Sequence, residues 1–190
     1  MTSFALFETA IGACGIAWGG RGIAGVQLPE PSAEKTRARL KRRFPHAHEA
    51  APTADVQRAI DGIVALLRGE AADFSGVQLD LERMPAFNRR VYDIARAIPP
   101  GKTLSYGEIT SKIGEPREVA RDVGQALGQN PIPIIVPCHR VVAANGKPGG
   151  FSASGGVTTK LRLLTIEKAK ISDAPALFDD LPLAAKPKRR

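Results

Sequence analysis

The residues with the greatest chemical potential in this chain are Pro137-Cys138-His139-Arg140. A thiol attacks only as its thiolate, and near neutral pH it needs a base or a cation close by to lose its proton. An imidazole next in sequence can be that base, and the preceding proline fixes the backbone. Neighbours along an extended strand face opposite sides, so Cys138 and His139 can cooperate only through a turn or a bridging water. A second reading, a core cysteine followed by a surface histidine, fits the tetrapeptide equally well. The other cysteine, Cys14, reads as a small buried hydrophobe. Neither cysteine has a second Cys or His at ligand spacing, so no metal, disulfide or cofactor is expected.

The neighbouring sequence must hold this segment in place. Asn130 to Pro137 is apolar and stiffened by three prolines, as a buried segment would be. Before it, Phe87, Val91, Ile94, Ala95 and Ile98 form one helical stripe, closed by Pro99-Pro100-Gly101. Ser105 is placed to cap a short helix that stops at Gly114. After Glu115-Pro116 a third helix turns Val119, Val123 and Leu127 inward, with Arg117, Arg121 and Gln125 on other faces. Two short helices about a tight turn outline a helix-turn-helix, an outline that ordinary helical bundles share. A Gly-rich loop from Asn145 to Gly156 precedes a last helix, from about Thr158 to Ala169, that buries Leu161, Leu164 and Ile166 or its neighbours.

The first part of the chain offers no chemistry and reads as a scaffold. Phe4 to Thr9, Ala13 to Trp18 and Ile23 to Leu28 are predicted strands of a meander with Gly-containing turns. Helices follow from a Ser32 cap to Phe44 and from Thr53 to Arg68, then a strand near Val77 to Leu81. The class is therefore α/β, divided into residues 1–84, 85–170 and a tail 171–190. That tail is rich in Pro and Ala, ends Lys186-Pro-Lys-Arg-Arg190, and is expected to be disordered.

Charge is distributed unevenly. Residues 1–80 hold nine basic and nine acidic side chains, whereas 81–190 hold 18 and 10, so the whole net charge of +8 lies in the second part. A one-sided basic field suits a polyanion, because Lys and Arg release counterions from phosphate. A solvated basic surface would account for the charge alone equally well. The longest apolar runs, such as Ile132 to Val136, are too short to span a bilayer, and Met1-Thr-Ser-Phe lacks the basic start of a secretory signal. A cytoplasmic protein is expected, nuclear in a eukaryote, acting as a monomer.

Several stretches recur in order at a familiar spacing. They are Phe-Asn-Arg-Arg-Val-Tyr from Phe87, Ile-Pro-Pro-Gly-Lys-Thr-Leu-Ser-Tyr-Gly-Glu-Ile from Ile98, Ala-Arg-Asp-Val-Gly-Gln-Ala from Ala120, the run from Asn130 through Pro-Cys-His-Arg to Val142, and Lys160 with Leu163-Leu164 and Glu167. The run from Phe87 to Glu167 resembles the catalytic domain of the O6-alkylguanine-DNA alkyltransferases, the methylated-DNA–protein-cysteine methyltransferases. The resemblance implies a small N-terminal ribonuclease-H-like sheet-and-helix domain, matched here only in length and outline. A mainly helical, winged helix-turn-helix-like domain that binds DNA and does the chemistry would follow it.

The implied function is repair of double-stranded DNA by direct reversal. The alkyl group of O6-alkylguanine, with O4-alkylthymine as a second target, would pass irreversibly to Cys138. By the same resemblance His139 draws the thiol proton through a water and Glu167 orients it. Tyr106 donates a proton to the leaving base, and Asn130 braces the turn. A lesion inside a stacked duplex is out of reach of a buried thiol, so the base must be flipped, at a cost of a few kcal/mol. Arg121 would fill the vacated space from the minor-groove side, with Ala120, Gln125 and Arg140, and Lys102 to a lesser degree, beside the DNA. Gly150, Phe151, Ser152 and Val141 would line the lesion pocket.

This sequence departs from the family pattern at Asp122, where relatives often carry a small apolar residue, and at Phe151, where they often carry tyrosine. The loop Gly149 to Gly156 is slightly longer, and the zinc ligands of some relatives' N-terminal domains have no counterparts. Three other readings compete. A lesion binder that does not react would lack the acceptor cysteine. A cysteine hydrolase would need an oxyanion site and a further His or Asn constellation. A purely structural DNA-binding module would leave Pro137 to Arg140 and Glu167 as coincidence.

Overall fold

The computed structural model describes residues 1–144 and 146–169; the expected tail, 171–190, lies outside the described residues. Ser3–Phe7 (β1), Cys14–Gly19 (β2) and Gly22–Gln27 (β3) form the expected antiparallel meander. His48–Glu49 (β4) adds parallel to β1, giving the order β3-β2-β1-β4. Two residues show no alternation to read, so sequence reasoning missed this strand.

Alternation along the strands sends Phe4 and Ala17 to one face, where Leu40 covers them from helix α1 (Ala33–Arg43). Ala5, Ile16, Trp18 and Val26 face the other way and join the core with Val56, Ile60 and Ile63 of α2 (Ala54–Leu67). Both helices start where expected. Ser32 Oγ accepts from Lys35 N at 3.3 Å and Thr53 Oγ1 from Val56 N at 3.5 Å.

The strand expected near Val77 to Leu81 is not formed. The segment crosses β3 at a single bridge, Ile23 to Leu79, with Ile23 N donating to Gln78 O at 2.9 Å and Asp80 N to Ile23 O at 2.8 Å. The crossing is close enough to exclude a side chain: a Cβ on Gly22, whose φ is +114°, would lie 2.4 Å from Gln78 O.

The second part is mainly helical, with α3 (Ala86–Arg96), α4 (Tyr106–Lys112), α5 (Ala120–Gly128) and α6 (Gly156–Ile166). Helices α4 and α5 form the helix-turn-helix, and the predicted third helix begins as a separate 3-10 turn at Arg117–Val119. Short strands Leu104–Ser105 (β5) and Val141–Val142 (β6) pair in parallel behind it. Helix α6 starts before Thr158, and Leu163 and Leu164 are its buried pair, with Leu161 and Ile166 half-buried.

One continuous buried cluster runs from Ala5 through Val91, Ile109 and Val123 to Leu163. A backbone bond from Val26 N to Pro131 O, 3.0 Å, ties β3 to the segment before the cysteine. Among the described residues no helix is long and apolar enough to cross a membrane.

Candidate active site

The local sequence shapes a turn around Cys138. Pro137, with its φ locked near the observed −80° and ψ at 65°, makes an inverse γ-turn in which Cys138 N donates to Val136 O at 2.8 Å. A 3-10 turn over Cys138–Arg140 follows, closed by Arg140 N to Pro137 O at 2.9 Å. Cys138 and His139 therefore do not alternate across a strand. Asn130 braces the loop from behind: its Nδ2 donates to Val136 O at 2.8 Å and its Oδ1 accepts from Ile132 N at 2.9 Å. The braced loop holds buried Ile134 at φ +74°, a conformation a β-branched residue adopts only under constraint.

His139 is fully buried and lies against Glu167, the residue that ends α6. Two forces act on the Glu167 carboxyl: burial pushes its pKa up, while hydrogen bonds and charge from His139 and Arg140 pull it down further, to about 2. Glu167 is thus an ionised acceptor, so the His139 Nε2 at 2.9 Å must carry the proton and donate it. That assignment leaves Nδ1 as the basic nitrogen. Among the described residues Nδ1 is buried and has no protein partner. Burial lowers the imidazole pKa, although the carboxylate opposes it, and keeps the ring a neutral base.

The two thiols differ sharply. Burial raises the Cys14 pKa to about 12, with only a Thr9 contact to oppose it. Burial raises that of Cys138 also, but Asn130, the Lys160 charge and backbone N–H groups all favour its thiolate. Lys160 is a completely buried ammonium that donates to Val141 O at 2.6 Å and Gly150 O at 3.4 Å, and lies 5.8 Å from the Tyr106 ring centroid. No carboxylate among the described residues pairs with it. Burial accordingly lowers its pKa to about 8, and the charge of Cys138 works against that fall.

Cys138 opens into a cleft of about 730 Å³, within the range of small-ligand sites. Its walls are Tyr106, Ala120, Arg121, Gly124, Gln125, Leu127, Gly128, Gly150, Phe151 and Ser152. Tyr106 is set by a capping box. Ser105 Oγ accepts from Glu108 N at 3.2 Å and Ser105 N donates to Glu108 Oε2 at 2.6 Å, which makes Tyr106 the first residue of α4. Gly149, at φ +70°, lets the loop pass over the phenol; a Cβ there would stand 2.8 Å from the hydroxyl. Burial, then Cys138, raises the Tyr106 pKa and keeps it a proton donor.

Residues 86–169 match the family model described as "6-O-methylguanine DNA methyltransferase, DNA binding domain". The methylated-DNA–protein-cysteine methyltransferase of Mycobacterium tuberculosis is 47% identical over 121 residues, 64% of this chain and 70% of that protein. The chain belongs to the methylated-DNA–protein-cysteine methyltransferases. The relative from Methanothermobacter thermautotrophicus is 34% identical over 80% of this chain and 78% of its own length. The crystal structure of the Mycobacterium tuberculosis protein in complex with DNA superposes with a TM-score of 0.71 at 36% identity, covering 87% of this chain and 92% of that one. The α/β fold expected from the resemblance is the fold of these relatives.

Within this methyltransferase the structure brings Cys138, His139 and Glu167 together, with Asn130 behind them and Tyr106 across the cleft. Ala120, Arg121 and Gln125 share that cleft's wall from one helix, and Gly150, Phe151 and Ser152 face them from the loop. Two expectations need correction. Arg140 does not reach outward to phosphate: its guanidinium is buried, with Nε and Nη2 each 2.8 Å from a Glu167 oxygen and Nη1 on Ile98 O. Val141 does not line the cleft; it is buried in β6 and its carbonyl takes the Lys160 ammonium.

Asp122 is exposed in the first turn of α5 and stands outside the cleft wall. Lys102 lies on a separate hollow with Lys112. Sequence reasoning matched Lys160 to the family pattern but gave it no role. A lysine three residues before Leu163 on a buried stripe was the available signal.

Proposed function

We propose that Cys138 is the acceptor in this methyltransferase, which repairs alkylated double-stranded DNA by transferring the alkyl group to a cysteine of its own chain. The observation that carries the reading is the buried Glu167–His139 pair, whose remaining basic nitrogen has no protein partner among the described residues, beside a thiol that opens into a cleft. His139 Nδ1 takes the thiol proton, through a water, and passes it to solvent. Sulfur attacks the alkyl carbon in line with O6, so the S–C bond forms as the C–O6 bond breaks and guanine keeps the electron pair. Tyr106 delivers a proton to the ring, the base leaves neutral, and the phenol recovers its proton from solvent.

Lys160 compensates the charge of the buried thiolate. It also ties Gly150 of the cleft wall to Val141 beside the catalytic turn, which holds the reacting groups in register. Arg121 enters the duplex where the flipped base stood, with Ala120 and Gln125 against the strand. Residues 1–84 act as a scaffold that supports residues 85–170, and the protein works as a monomer wherever chromosomal DNA lies, the cytoplasm or a eukaryotic nucleus. A thioether is stable and no residue of the cleft can remove it, so each molecule acts once.

Counting transferred groups tests this reading. Incubation with excess O6-methylguanine duplex is expected to transfer one methyl per molecule, and none with Cys138→Ser, which still binds the lesion. Many turnovers, or transfer by the serine variant, would refute it.

A further inference from the structure

Cys138 stands where two clefts meet. Besides the lesion cleft, a second hollow of about 310 Å³ opens between the first helix with the end of β3 and the segment Gly128 to Pro133. Cys138, Phe151 and Ser152 belong to the walls of both. Methyl transfer needs only the first, because a methyl group ends at its own carbon. In-line displacement sets sulfur opposite O6 and turns the other substituents of the reacting carbon sideways. Any longer alkyl group therefore requires room beside the thiol, and the second cleft is such room.

The chemistry of its far wall is specific. Arg39 and Arg43 stand four residues apart on α1 and both line it. Arg39 Nη1 lies 2.9 Å from Glu30 Oε1, while Arg43 donates to the carbonyls of Val26 at 2.8 Å and Pro131 at 2.7 Å and to Gln27 Oε1 at 3.2 Å. Among the described residues, then, two guanidiniums have one carboxylate between them, and a positive charge remains uncompensated. Burial first, and Arg39 second, press the Arg43 pKa down, as expected for a cation short of a counter-charge. Gln129 and Asn130 add hydrogen-bonding side chains to the same cleft.

We propose that the second cleft receives the distal part of a long O6 substituent and that Arg39 and Arg43 favour substituents ending in a carboxylate. The proposal rests on Cys138 being the acceptor and names a substrate class for it: carboxyalkyl adducts of guanine. The bond changes are those of methyl transfer, with S–C formed and C–O6 broken, and the carboxylate is a spectator.

Duplexes carrying O6-methyl-, O6-carboxypropyl- and O6-carbamoylpropylguanine test it with the full-length protein, the last two equal in length and different in charge. Each transfer rate is divided by the same protein's rate on the methyl lesion. The carboxylate-to-amide ratio is expected to exceed one in the native protein, to fall about threefold in Arg39→Gln, and to rise in Glu30→Gln, which removes the competing carboxylate. A native ratio of one, or a ratio that both substitutions leave unchanged, overturns the proposal. Equal slowing of Arg39→Gln on all three duplexes would make Arg39 a contact to DNA, and overturns it too. Failure of the native protein to accept methyl strikes instead at Cys138 as acceptor.

Discussion

Glu167 is the residue on which most of the site's electrostatics converge. It accepts from His139 and from two nitrogens of Arg140, and its side chain is only 2% exposed. Glu167→Gln would leave the buried guanidinium without its counter-charge, which costs about 3–5 kcal/mol in comparable sites, and chemical denaturation would measure it. Transfer should slow by at least ~100-fold, since the imidazole loses its orienting partner. The folded carboxyl pKa, about 2, lies below its ordinary 4.5. The stabilisation is therefore complete above pH 4.5 and is lost as pH falls toward 2, so the native protein should lose stability over that interval more steeply than Glu167→Gln. Lys160→Met removes the charge facing the thiolate and should slow transfer about tenfold in single-turnover kinetics, with the fold retained.

At the scale of elements, the helix caps and stripes were legible because each depends on a few neighbouring residues. Ser32 and Ser105 cap where the sequence placed them, the second helix starts at Thr53 as its spacing predicted, and the stripe of α3 buries Val91 and Ala95 as its spacing required. What could not be read was set by contacts distant in sequence. The segment at Gln78 becomes a crossing and not a strand because Gly22 admits its backbone, 56 residues away. Arg140 turns inward because Glu167, 27 residues on, meets it. The tetrapeptide at Cys138 left nucleophile and core cysteine equal; the turn at Pro137 and the position of Glu167 support the proposed nucleophile. Two substitutions probe these elements. Ser105→Ala removes the cap below Tyr106 and should cost about 1 kcal/mol. Arg121→Ala should impair repair in duplex DNA more than reaction with a free alkylated base, and equal losses would remove its role in holding the duplex open.

Across the whole molecule, the first 84 residues bring no side chain to the larger cleft at Cys138, yet the core passes through both parts without a break. This first part also holds the loop before the cysteine, through Val26 N and the Arg43 guanidinium on Pro131 O. Loss of one should therefore weaken the other, and thermal unfolding is expected as a single transition. The resemblance reached the second part residue by residue and the first only in outline, because the first part is read from its packing pattern and many sequences pack alike. The central claim concerns a single sulfur. After exposure to O6-methylguanine duplex, the proteolytic peptide containing residue 138 should gain the mass of one methylene, the net change when methyl replaces the thiol hydrogen, and the Cys14 peptide should gain none. An unchanged residue 138 peptide, with the lesion repaired, would contradict the account.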